Sequence, residues 1–200
     1  FLTLILLSWN SMFFGTSYVQ IMPLFADMLQ SGERGYGLLI SATGVGSIIG
    51  NLFISRYQQS RKLGIMMLSS AAMAPCSLIG FSLVAWILAD TAGAFWIACC
   101  FAILTAALSS VFLVSSMTVL QIKVPDAFRG RVMGIHSITF SMISLGGLAA
   151  GALASQFSAP VAVVIGAIVV LSSVSWVVFK VREIPNLDLN QQSKHAESFQ

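Results

Sequence analysis

Between Ala94 and Leu120 the chain carries no charged side chain. A helix needs about 20 mostly apolar residues to cross the hydrocarbon core of a bilayer. Six runs of that kind follow one another, at about Phe1–Phe25, Tyr36–Ser55, Leu63–Ile87, Ala94–Leu120, Val132–Ala154 and Val161–Phe179. Short polar joints separate them. The runs are too long for barrel strands and lack a two-residue period. The pattern predicts an all-α membrane domain of six spans over residues 1–182, with a polar tail over 183–200.

Composition supports this. The chain has 200 residues, 57% of them hydrophobic, with ten Lys and Arg and seven Asp and Glu. A water-soluble domain of that length needs far more charge on its surface. The net charge of +3 is small, and its basic residues form short clusters rather than one face, which argues against nucleic-acid binding. Cys76, Cys99 and Cys100 are odd in number, lie in apolar runs and form no C-x-x-C. They read as small buried side chains rather than metal ligands or redox centres, so neither metal nor cofactor is expected. The chain begins at Phe1 without a basic leader, which reads as a piece of something longer.

Charge also predicts orientation. Arg56, Arg61, Lys62, Lys123, Arg129, Arg131, Lys180, Arg182 and Lys194 fall in the even joints and the tail. Only Arg34 falls in the odd joints. By the positive-inside rule, the even joints and both chain ends face the cytoplasm. The most charged stretch, QIKVPDAFRGRVMG at 121–134, is then a cytoplasmic turn between spans four and five. Pro125 suits the start of a helix and Asp126 its positive end. Arg129 and Arg131 suit lipid phosphates or a carboxylate. These residues set topology. They also allow a gate in which Asp126 pairs with an Arg in one state only.

Ten of the 16 glycines fall in two places. Gly35, Gly37, Gly44, Gly46 and Gly50 belong to span two or its entry. Gly130, Gly134, Gly146, Gly147 and Gly151 belong to span five or its entry. Gly46-x-x-x-Gly50 and Gly147-x-x-x-Gly151 suit close helix packing. Each pair alone means no more than that, but their matched places in two triplets suggest a 3+3 inverted repeat. Spans one and four, the lead helix of each triplet, carry the polar groups. Asn10, Ser17 and Gln20 in span one, with Ser109 and Ser116 in span four, are candidates to line a cavity. Most intramembrane Ser and Thr bond their own backbone. Asn10 and Gln20 need a partner helix or water. Pro75 is expected to kink span three. His136, one turn into span five, reads as an interfacial residue without a function.

From Phe1 to about Arg182 the chain resembles the carboxyl-terminal six-helix half of a major facilitator superfamily transporter. It is most similar to the branch of enterobactin-exporter-like and macrolide-efflux-like proteins. VPDAFRGRVMGIHS (Val124–Ser137) matches that branch's Pro-acidic-x-x-Arg-Gly-Arg turn at Pro125, Asp126, Arg129, Gly130 and Arg131. YGLLISATGVGSIIGNLFISR (Tyr36–Arg56) looks like helix eight and its exit. The following joint departs from the superfamily's Gly-x-x-x-Asp-Arg-x-Gly-Arg-Arg signature. Asn51 stands for the Gly and Ser55 for the Asp, while Arg56, Arg61 and Lys62 remain. That puts the usual carboxylate–arginine latch in doubt.

The resemblance implies that spans one and four are helices seven and ten, which line the central cavity. Spans two and five become helices eight and eleven, packed on a missing amino-terminal half. It also implies a secondary-active, proton-driven exporter of a drug-like or siderophore-like small molecule in a bacterial plasma membrane. The expected partners are lipid, the other half and the cargo. No carboxylate lies deep in the six spans, so a proton-carrying one belongs to the other half. Two other readings compete. One is a truncated, non-transporting fragment. The other is an intramembrane protease using Gly15-Thr16-Ser17 or Gly80-Phe81-Ser82 with His136, which the expected difference in depth disfavours.

Overall fold

The computed structural model describes residues 2–57, 63–89, 91 and 93–180. Every element in it is helical. In a bilayer the backbone must satisfy its own hydrogen bonds, and a helix does so within one segment. Helix α1 is Leu2–Asn10 and α2 is Met22–Met28. Then come α3 (Gly32–Ser55), α4 (Leu63–Ile87), α5 (Ala94–Lys123), α6 (Asp126–Ser137), α7 (Ser141–Gln156) and α8 (Ala159–Lys180). Among the described residues, five stretches are long and apolar enough to cross a membrane: α3, α4, α5 to Ile122, Gly130–Gln156 and α8 to Phe179.

The first apolar run differs from the uniform span expected of it. Between α1 and α2 the chain winds as a π-helix over Ser11–Thr16, then as a 3₁₀-helix over Ser17–Ile21. Pro23 sits in the first turn of α2 and has no N–H to offer the Val19 carbonyl. Met22 N–H bonds that carbonyl instead, which tightens the turn ahead of α2. α4, by contrast, runs through Pro75 as one element.

The joints follow local chemistry. Gln30 and Gly32 take positive φ (52° and 58°) and turn the chain from α2 into α3. Val124 is extended (ψ 125°), as a residue before proline must be, and Pro125 then opens α6. At the start of α8 the Ser158 hydroxyl accepts the Val161 N–H at 3.4 Å.

α5 lies between α3 and α4, α4 also packs on α8, and α7 packs on α8 and on the π and 3₁₀ turns of the first segment. Two apolar cores result. One surrounds Tyr18, Phe25 and Phe81, with the Phe25 and Phe81 rings 4.9 Å apart. The other, toward the 56–62 joint, surrounds Leu7, Ile54, Met67, Phe112 and Val174. The outside is apolar too. Leu38, Ile48, Leu52, Leu148 and Phe179 are all exposed, the inverse of a water-soluble surface. Cys99 is buried, but Cys76 and Cys100 are not, which corrects the expectation of three buried thiols. Both lie on this apolar exterior.

Candidate functional site

The polar groups of the first segment face three neighbours. Asn10 Nδ2 donates to Ser173 Oγ on α8 at 2.6 Å, and Ser173 donates to the Val170 carbonyl. Ser8 is fully buried and donates to Ser116 Oγ on α5 at 3.4 Å, while Ser116 donates to the Leu113 carbonyl. These two bonds tie the lead segment to both flanking helices. Ser173 had no sequence signal, because nothing in a helix sequence says which distant hydroxyl will meet an amide.

The other candidates divide. Ser17 is buried and bonds its own turn at the Phe14 carbonyl, 3.4 Å away. Gln20 is exposed, and its aliphatic stem lies over Gly147 of α7. Ser109 is half-buried and lines a cavity of about 20 Å³ with Ser11, Thr16, Ala71 and Pro75. A void of roughly 10–15 Å³ is enough for one water. Ser17 lines a different small cavity, with Tyr18, Gly146 and Gly166.

Four buried polar atoms find no partner among the described residues: Trp9 Nε1, Ser11 Oγ, Ser115 Oγ and His136 Nε2. An unpaired polar group away from water costs about 1–3 kcal/mol. Four in one small bundle are evidence of water or of a further surface. α1 touches α5, α8 and the 138–140 turn that follows His136, so these elements surround it. His136 is 2% exposed, with Nδ1 3.5 Å from Thr139 Oγ1. Its ring is enclosed by neighbouring side chains rather than open at the surface. The sequence at 132–139 has no period that says which side of this stretch turns inward.

The glycines divide as well. Gly46 and Gly50 on α3 lie against the backbone of Ile103 and Ala107 on α5. Gly146 on α7 lies in the same way against the backbone at Phe13. Gly151, paired with Gly147 from the sequence, has nothing within 4 Å. Gly37, Gly44 and Gly134 also face open space. In span five, then, Gly146 meets a backbone and Gly147 the Gln20 side chain, whereas Gly151 meets neither.

Arg56 and Arg131 are exposed, whereas Arg61 and the side chains of Asp126 and Arg129 lie outside the described residues, as does the 183–200 tail. The serines of the two G-x-S triplets are committed to carbonyls: Ser17 to Phe14, and Ser82 to Pro160 at 2.9 Å.

Helices with an apolar exterior and neutral polar groups at the lead segment define an integral membrane protein. The family of transmembrane secretion effectors, of major facilitator type, matches residues 3–199. The chain belongs to that family of transporters. Searches of curated proteins and of solved structures each returned no match.

Proposed function

We propose that the chain is the carboxyl-terminal half of a secondary-active exporter working by alternating access. The first segment, despite its π and 3₁₀ turns, serves as the first of six spans. The observation that carries the reading is the burial of the two glycine-rich helices. Only 22% of the α3 window and 11% of the Gly130–Gln156 window are buried, against 39–56% for the other three. Glycines facing open space lie on those same helices. A second set of helices covering them is the simplest reason for small residues there.

The inverted repeat has its own support. Span two sets glycines on the backbone of span four, and span five sets one on the backbone of span one. Spans three and six pack on four and one respectively, and on each other. Exchanging the two triplets maps this pattern onto itself. The cargo reading rests on the neutral polar groups of the first segment, which suit a small, partly apolar compound better than a charged solute. Proton coupling, inward-facing ends and a bacterial plasma membrane complete the proposal.

The test is dye accumulation in efflux-deficient bacteria. Cells carry this chain alone, this chain joined to an upstream six-helix half, or an empty vector, each with and without a protonophore. We expect only the joined halves to lower accumulation and the protonophore to abolish the effect. Unchanged accumulation with all proteins inserted would remove the drug-efflux reading and leave an inactive fragment or another cargo.

A further inference from the structure

α3 and α4 both pack on α5, but share no comparable seam with each other among the described residues. Between them lies a groove of about 340 Å³. Its floor is small because Gly50 sits on the Ala107 backbone. Its walls are Ile49, Phe53, Met66, Met73, Leu104 and Leu108. Ser69 and Ser70 also line it, but each donates to its own helix, at the Met66 and Met67 carbonyls. Their hydroxyl protons are spent, so the groove offers an occupant no side-chain donor of its own and mostly apolar contact. Its volume falls in the range of small-molecule sites, roughly 300–1,000 Å³.

The groove follows the last turns of α3 and the first turns of α4, so one end lies toward Arg56 and Tyr57. Helical backbone continues through Arg56 (φ −74°, ψ −19°), and the Tyr57 N–H bonds the Ile54 carbonyl at 2.9 Å. Ile49, Phe53, Arg56 and Tyr57 therefore share one face. The Phe53 and Tyr57 rings lie 5.1 Å apart, and both Arg56 and Tyr57 are exposed. An apolar slot thus ends at a cation and a phenol, at the last turn of α3.

We propose that this groove binds one anionic phospholipid, with an acyl chain between α3 and α4 and the phosphate on Arg56. Charge complementarity selects a lipid. A wholly apolar occupant would leave the exposed cation at the end of the slot uncompensated, whereas one lipid fills the slot and meets the cation at once. The inference needs only that the chain resides in a bilayer, and it is independent of the export reading.

The test is native mass spectrometry of the purified protein at its full natural length. It is mixed with equal amounts of phosphatidylglycerol and phosphatidylcholine bearing identical chains. We expect retention of phosphatidylglycerol in preference. Arg56→Gln should cut that preference about fivefold, the worth of one interfacial cation at about 1 kcal/mol, while chain retention persists. Ser69→Phe, at an exposed lining position, should abolish retention of both lipids. An unchanged preference in Arg56→Gln, or unchanged retention in Ser69→Phe, overturns the proposal. A photo-crosslinker at Met73 gives a reading that needs no deleterious variant. Capture of lipid supports the site, whereas capture of another segment of the protein or of an exported dye overturns it.

Discussion

At Asn10 a single amide holds two helices together. Asn10→Leu removes the bond to Ser173 and should lower stability by about 0.6 kcal/mol, and by no more than ~1.7, read as a modest loss of thermal stability in detergent. Ser11→Ala should cost less than Asn10→Leu, because its hydroxyl has no protein partner to lose among the described residues. If both variants lose the same stability, the partner assignments are wrong. The glycines give a sharper contrast. A side chain at Gly46 or Gly50 strikes the backbone of α5, so Gly46→Leu should destabilise by about 1–3 kcal/mol or force α3 away. Gly44→Ala meets open space and should leave the melting temperature of the chain alone within error. The sequence placed these residues on the right helices. It could not say which glycines of a helix face inward, because every glycine of a run is equally able to.

The first segment is the element that differs most from its sequence. Its apolar run predicts one span, and hydropathy is blind to whether the turns are α, π or 3₁₀. The π turn adds one residue to the helical path, and mid-helix insertions of this kind cluster at functional sites. Deleting Gly15, within that turn, should restore a regular helix. It would also rotate Asn10 by about 100° relative to Tyr18 and Phe25. Asn10 can then no longer meet Ser173 while Phe25 stays on Phe81. We expect normal membrane insertion and abundance, with a reduced melting temperature and lost transport. A deletion variant that transports normally would show that the turn is incidental. The other runs read well because a length of about 20 apolar residues between polar joints is a strong constraint. α6 and α7 show the limit of it, since a short 3₁₀ turn over Ile138–Phe140 divides what the sequence reads as one span.

At the scale of the whole molecule, transport requires two arrangements whose balance a ligand can shift. Asp126 opens α6 immediately after Pro125, at the turn where the resemblance puts its acidic residue. If Asp126 pairs with an Arg in only one of those arrangements, Asp126→Asn should slow dye export several-fold while abundance stays normal. Unchanged export would reduce this turn to a determinant of topology. Orientation is checked by labelling single cysteines placed in the 29–31 and 56–62 joints from either side of the membrane. We expect the first to react from outside and the second from inside.

What the sequence determined by itself is the solvent and the element type. Apolar runs of bilayer length with few charges leave no economical alternative to helices in lipid, and the family can be read from the same runs and the 124–137 turn. What only the tertiary structure decided is which faces meet. That the amide of Asn10 meets Ser173, that Gly146 rather than Gly151 meets a backbone, and that His136 is enclosed all depend on helix rotation. Rotation is set by packing against neighbours far along the chain. In a run apolar on every side, no hydrophobic period records it.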